Sequence, residues 1–143
     1  SVTSGELPIS PMLAAELYTD SSWRPRYYGL PGETCTGCPE NTYRDMVNGT
    51  IVADCRSCPD NSISGTKSTA LSDCICEAGY YGNPGQGRAC EPCPVGTYNA
   101  LQNQTTLEAC LSCPGNASTS DSAQSNISDC ACNSGCSFAL SPK

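Results

Sequence analysis

After Cys35 the apolar positions come in short runs separated by Gly, Pro, Ser, Asn and Asp, a pattern that predicts brief β-segments and irregular loops with little helix. Thr42-Tyr43 following Asn41, and Thr97-Tyr98 following Gly96, read as the first arms of small hairpins. Asn48-Gly49 suits a turn that needs positive φ. Gly82, Pro84, Gly85 and Gly87 crowd the approach to Cys90 and favour a tight turn over a helix. Two-stranded ribbons are therefore expected in place of a real sheet. Ahead of Cys35, Pro8 and Pro11 interrupt an extended arm, and Met12 to Leu17 predicts at most one helical turn or an apolar anchor lying on a neighbour.

The pattern repeats. Cys35, Cys38, Cys55, Cys58, Cys74 and Cys76 recur as Cys90, Cys93, Cys110, Cys113, Cys130 and Cys132, displaced by 55 residues for the first four and 56 for the last two. Residues between the cysteines follow the same register: Thr42-Tyr43 with Thr97-Tyr98, Ser57-Cys58-Pro59 with Ser112-Cys113-Pro114, and Ser72-Asp73-Cys74 with Ser128-Asp129-Cys130. A period of this size marks small modules in a row. Tyr27-Tyr28-Gly29 before Cys35 also matches Tyr80-Tyr81-Gly82 before Cys90, so the arm ends in a partial module. The expected organisation is an arm over 1–34, a first cysteine-rich module over 35–89, a second over 90–132, and the truncated start of another module, or a tail, over 133–143.

Composition explains what holds such modules together. Thirteen of the 143 residues are Cys, whereas Leu, Ile, Val and Phe together number 19, too few for one large hydrophobic core. The chain must be stapled, and staples need an oxidising compartment, so a secreted or cell-surface location is expected. A formal charge of −7 argues against a nucleic-acid partner. No run of apolar residues is long enough to span a membrane. The sequence has no initiator Met and is expected to be a processed or excised piece of something longer.

Ten cysteines can pair within the repeats. A ladder joins Cys38 to Cys55, Cys58 to Cys74, Cys76 to Cys90, Cys93 to Cys110 and Cys113 to Cys130; a crossed alternative joins Cys38 to Cys58 and Cys55 to Cys74, with the same exchange in the second copy. Spacing does not choose between them. Both leave Cys35, Cys132 and Cys136 as boundary cysteines, and the odd total requires at least one to be free or bonded to another chain. Cys35 is the strongest candidate for an interchain bond, because Trp23 stands where the complete copy has Cys76.

The run Cys35-Thr-Gly-Cys-Pro-Glu-Asn-Thr-Tyr, then Cys55-Arg-Ser-Cys-Pro, then Asp73-Cys-Ile-Cys-Glu-Ala-Gly-Tyr-Tyr resembles the ephrin-receptor-like cysteine-rich repeat, and more distantly the tumour-necrosis-factor-receptor and EGF-like modules. Cys90-Glu-Pro-Cys-Pro-Val-Gly-Thr-Tyr through Asp129-Cys-Ala-Cys resembles it again. Two positions depart from the family: Glu40-Asn41 replaces x-Gly, and Cys136 replaces Tyr. The resemblance implies a small disulfide-rich fold, an elongated tandem of EGF/TNFR-like modules with minimal β-structure, serving as spacer and binding surface without catalysis.

Candidate chemistry is sparse. With no His, a nucleophile lacks its usual base, and no enzyme is expected. The CxxC pairs could hold zinc in a reduced protein, but the additional CxC elements and the sequons oppose it. Asp54, Asp73 and Asp129 each adjoin a cysteine singly, without the spacing of a calcium loop, and are expected to bond local backbone or to stay in water. No cofactor or metal is therefore expected. Asn48, Asn103, Asn116 and Asn126 head N-x-S/T sequons, and Asn48 and Asn103 hold the same repeat position. Trp23, Tyr27 and Tyr28 are the candidate interface residues, since aromatic side chains dominate contact centres. The function expected is a structural glycoprotein subunit of an extracellular assembly that links copies of itself or co-assembling subunits through its ends; the alternative is a ligand-binding or adhesion segment of a receptor-like ectodomain.

Overall fold

The computed structural model describes residues 25–30 and 33–134. Within them the chain forms six antiparallel two-stranded ribbons, each made of strands adjacent in sequence. They pair β1 (Tyr27–Tyr28) with β2 (Thr36–Gly37), β3 (Thr42–Tyr43) with β4 (Arg56–Ser57), and β5 (Ser62–Ile63) with β6 (Ile75–Cys76). The series continues with β7 (Tyr80–Tyr81) and β8 (Glu91–Pro92), β9 (Thr97–Tyr98) and β10 (Leu111–Ser112), and β11 (Ala117–Thr119) and β12 (Cys130–Cys132). Ribbons this short are marginal in water by themselves. Cross-links make the difference, and the disulfides follow the ladder: Cys38–Cys55, Cys58–Cys74, Cys76–Cys90, Cys93–Cys110 and Cys113–Cys130.

Each disulfide belongs to one ribbon. Cys38, Cys58, Cys76, Cys93 and Cys113 stand one turn ahead of the first strand, and Cys55, Cys74, Cys90, Cys110 and Cys130 immediately precede or open the second. Antiparallel pairing therefore brings the two cysteines together, with Cα atoms 5.8 Å apart for Cys38–Cys55, within the usual disulfide range. This is why the ladder and not the crossed arrangement closes.

The recurring motifs have local causes. In Cys-Pro-x-x-Thr the proline carbonyl accepts a hydrogen bond from the hydroxyl three residues on, Thr42 to Pro39 and Thr97 to Pro94, each at 2.7 Å. The residue between must turn left-handed: Gly96 has φ 87°, and Asn41, which replaces that glycine in the first copy, has φ 63°. Asn is among the few side chains that tolerate this region, so the departure from the family pattern keeps the turn. At the far side of the ribbon a 3-10 turn, such as Val52–Asp54 or Leu71–Asp73, delivers the second cysteine. The aspartate preceding that cysteine accepts hydrogen bonds at the start of the turn. Asp73 Oδ2 receives the Thr69 and Ala70 N–H groups at 2.7 and 3.1 Å, and Asp54 Oδ2 receives those of Thr50 and Ile51 at 2.7 and 3.1 Å.

Those bonds have a pH signature. The Ile51 and Thr50 N–H groups hold the Asp54 carboxyl below its ordinary value, and the Thr69 N–H does the same for Asp73. Because the folded carboxyls are more acidic than unfolded ones, their stabilisation is present above about pH 4 and is lost as pH falls through the depressed folded values. Acid titration of the Asp54→Asn/Asp73→Asn double variant, followed by thermal unfolding, should show a weaker fall in Tm below pH 4 than the parent. An unchanged acid slope would remove these two turns as its source.

Units dock on their neighbours by repeated backbone bonds. Lys67 N–H donates to Cys38 O at 2.8 Å as Ala123 N–H does to Cys93 O at 2.9 Å; Arg44 N–H donates to Ser68 O as Asn99 N–H does to Gln124 O. Among the described residues, hydrogen bonds reach no further along the chain than from Cys90 to Asp60 or Ala123 to Cys93, a separation of 30 residues. The fold is thus a small disulfide-rich tandem whose units contact sequence neighbours. Among the described residues the buried apolar side chains are Cys38, Cys55, Cys74, Cys76, Cys90, Cys93, Cys130, Tyr43 and Pro84, so sulfur supplies most of the core.

Candidate functional site

The first ribbon is a disulfide unit with half of its staple missing. Tyr27 pairs with Gly37 and Tyr28 with Thr36, as Tyr80 pairs with Pro92 and Tyr81 with Glu91 in the complete unit. The surrounding bonds also match: Cys38 N–H donates to Arg26 O at 2.7 Å and Cys93 N–H to Gly79 O at 2.8 Å, while Gly29 N–H reaches Gly49 O as Gly82 N–H reaches Gln104 O. Gly82 lies against the Cys76 sulfur, and Gly29 lies equally close to the Cys35 sulfur; a Cβ at either would stand 3.7 Å from it. Cys35 accordingly occupies the place of Cys90, but it is a free thiol, partly exposed. Trp23, in the sequence register of the missing cysteine, lies outside the described residues, as do Cys136 and Met12 to Leu17. Cys132 is disulfide-bonded.

Tyr27 and Tyr28 are half-buried, as are Tyr80 and Tyr81. The Lys67 ammonium sits 5.6 Å from the centre of the Tyr27 ring, and the Lys67 stem lies over Gly37, so the aromatic face is covered by the following unit. In the complete ribbon the Tyr81 hydroxyl donates instead to Glu91 at 2.9 Å, and that carboxylate raises the Tyr81 pKa.

Two buried polar side chains fill the long loops, and nothing in the sequence announced them. Arg44 and Asn99 hold the same repeat position, are 5% and 2% exposed, and brace their loops by different chemistry. The Arg44 guanidinium donates to Val47 O at 2.6 Å and to Asp54 O at 3.3 Å, with the Asp54 carboxylate 3.8 Å away. The Asn99 amide donates to Tyr80 O and accepts from Leu101 N–H, both at 3.1 Å. Only their shared register, directly after Thr-Tyr, gave any signal.

The four sequon asparagines are exposed. Asn48 and Asn103 adopt φ of 64° and 59° at the bends of equivalent loops. Asn126 is engaged, its side chain accepting from Ser128 N–H at 3.0 Å to start a 3-10 turn. Asn116 repeats Asn61, whose side-chain amide donates to Cys90 O of the next unit at 3.0 Å. No group of three metal-ligating side chains occurs among the described residues, and no helix there is long and apolar enough to cross a membrane.

Comparison with known proteins agrees with this architecture. Residues 79–130 match the family described as tyrosine-protein kinase ephrin type A/B receptor-like. The matched segment begins one residue before β7 and closes in β12, so it takes in three consecutive ribbons. The mouse sushi, von Willebrand factor type A, EGF and pentraxin domain-containing protein 1 is 37% identical over 67 residues, which is 47% of this chain and 2% of that protein. Signal peptide, CUB and EGF-like domain-containing protein 2 of Danio rerio is 33% identical over 100 residues, or 67% of this chain and 9% of its own length. Human ephrin type-A receptor 1 is 34% identical over 59 residues, 41% of this chain and 6% of the receptor. The chain thus spans less than a tenth of each of these relatives. No solved structure matches significantly. The disulfides and these relatives place the chain outside the cell or at its surface. Residues 79–130 therefore carry an ephrin-receptor-like cysteine-rich module, and its cysteine spacing recurs upstream from Cys35 to Cys76.

Proposed function

We propose that this chain is a structural glycoprotein segment of an extracellular assembly, such as a surface appendage, filament or coat, and that it is joined covalently to a neighbouring chain through Cys35. The observation that carries the reading is a ribbon built to hold a disulfide in which only one sulfur, that of Cys35, is present among the described residues. In an oxidising compartment a partly exposed thiol is a poor end state. Two thiols give up two protons and two electrons to a disulfide oxidant of that compartment, and the product is an interchain bond. Tyr27 and Tyr28 form the strand that pairs with the one opened by Thr36, next to Cys35, while Trp23 precedes them in the sequence and Cys132 and Cys136 come last among the cysteines. The bond adds resistance to dissociation, a property that suits an assembled rod.

A second reading, a ligand-binding or adhesion segment of a receptor-like ectodomain, draws on the ephrin-receptor relative. The two differ in what Cys35 does in native material. Thiols are blocked at harvest, the protein is run on gels with and without reductant, and the Cys35 peptide is sequenced. The assembly reading expects a reductant-sensitive multimer with Cys35 linked to a peptide of another chain. A monomer whose Cys35 carries the blocking group overturns it and leaves the receptor-like reading.

A further inference from the structure

The exposed apolar residues concentrate where the first pair of sequons lies. Met46, Val47, Ile51 and Val52, each about half exposed, crowd the loop between β3 and β4 on either side of Asn48. One repeat later Leu101 and Leu107 stand in the registers of Met46 and Val52, flanking Asn103. Apolar side chains grouped on a surface need a cover or a partner. In both loops the residue at the bend is an asparagine held left-handed, so its side chain projects from a fixed backbone; in the second, Asn103 N–H is tied to Cys76 O at 2.8 Å.

The first loop has a further feature. Asn48 is one of the residues lining a depression of about 370 Å³, together with the apolar Met46 and Val47 and the charged Asp54 and Arg56. Its size falls at the lower end of ligand pockets, and its mixture of apolar wall and a few polar groups is what such pockets share. A pyranose ring fits that mixture, because its axial C–H face is apolar and its edge carries hydroxyl and acetamido groups that both donate and accept hydrogen bonds.

We infer that Asn48 and Asn103 carry N-linked glycans, and that the first N-acetylglucosamine on Asn48 folds back into this depression and covers Met46 and Val47. The asparagine Nδ2 loses a proton and forms a bond to the sugar C1, and the C1–O bond to a lipid pyrophosphate donor breaks, the lipid pyrophosphate leaving. The Asn103 loop has Leu111 in the register of Arg56 and Asn99 in that of Arg44, so its glycan shields leucines without the same polar anchor. Glycans on successive units would restrict contacts to the remaining faces. This deepens the extracellular reading and depends on it, but not on the Cys35 link, which the reducing and non-reducing gels test separately.

The experiment uses the full chain secreted from a eukaryotic host. Glycopeptide mass spectrometry of the native protein should find both Asn48 and Asn103 occupied. Peptide-N-glycosidase applied to the folded protein should release the Asn103 glycan at least tenfold faster than the Asn48 glycan, with the difference gone after reduction and denaturation. Asn48 unmodified in material where Asn103 is occupied, or equal native release rates, overturns the inference. A Thr50→Ala variant removes the sequon while leaving Asn48 in its turn and the Thr50 N–H on Asp54. It should secrete with intact disulfides yet elute as larger species than the parent; an unchanged elution volume would count against the shielding role.

Discussion

Reduction of the five ladder disulfides is expected to unfold the described chain from Tyr27 to Cys132. Each bond closes a loop with a sequence separation of 14 to 17 residues, which the chain-entropy treatment values at about 3 kcal/mol. Five of them together reach about 15 kcal/mol, as large as the whole stability of an ordinary domain. Nothing else among the described residues can replace that. Tyr43 and Pro84 are the large non-cysteine members of the buried apolar set among the described residues, and the ribbons are two or three residues long. Adding millimolar reductant should abolish near-ultraviolet circular dichroism and amide protection together, in a single step at the midpoint of reduction. Protection that survives in the Lys67 to Cys38 or Ala123 to Cys93 bonds after complete reduction would show a cohesive core beyond the sulfurs.

Removing one bond should be graded by position. The Cys113→Ser/Cys130→Ser pair lies at the end of the described tandem and should melt its own ribbon and loosen the preceding one, where Asn99 N–H bonds Gln124 O and Ala123 N–H bonds Cys93 O, while leaving Cys38 to Cys74 protected. Loss of Cys76–Cys90 should instead disturb units on both sides, because Asn103 N–H bonds Cys76 O at 2.8 Å and Cys90 N–H bonds Asp60 O at 3.0 Å.

Much of this was legible in the sequence, for a physical reason. A fold built from short loops and staples writes its constraints into cysteine spacing and turn residues, and both survive as local motifs. The match of Tyr27-Tyr28-Gly29 with Tyr80-Tyr81-Gly82, offset by 53 residues, was legible as a shared motif, and both segments form the same kind of ribbon. Asp54 and Asp73 showed their role by lacking the spacing of metal ligands. Connectivity was not legible, since Cys38 has two partners at plausible loop lengths and only the strand pairing of Thr42 with Ser57 makes Cys55 the near one. The unit itself was also hidden: the eye takes the 55-residue period, whereas the structure repeats a disulfide ribbon about three times within it. Arg44 and Asn99 escaped because the same buried site is filled by a guanidinium in one copy and an amide in the other. Lys67 and Ala123 adopt φ of 62° and 61° with side chains that do not favour it, so the neighbouring unit and not the local sequence sets that turn.

That last turn makes Gly79 a sensitive position outside the cysteines. Gly79 has φ 86°, and a Cβ there would stand 2.3 Å from the carbonyl oxygen of Ala123 and 2.8 Å from its carbonyl carbon. Both atoms are backbone, so no rotamer can relieve the clash. The left-handed conformation costs a non-glycine residue about 1–2 kcal/mol, and forcing the two segments apart adds about 1–3 kcal/mol by the measure of overpacked cores. Gly79→Ala should therefore lose about 2–5 kcal/mol. The damage would spread, because Gly79 N–H donates to Asn99 O and Gly79 O accepts from Cys93 N–H, each at 2.8 Å, and Ala123 N–H is itself bonded to Cys93 O. Arg26 is the internal control. It occupies the same place in the partial unit at φ 78° with an exposed side chain, and its unit already accommodates a Cβ. Arg26→Gly should change stability by no more than about 1 kcal/mol, since relief of left-handed strain is offset by the greater freedom of glycine in the unfolded chain. Denaturant unfolding of both variants with disulfides intact, read alongside amide exchange at Cys93, Asn99 and Ala123, separates the two cases. A Gly79→Ala protein as stable as the parent and equally protected at those three amides would mean that the unit junction yields where the structure makes it tight.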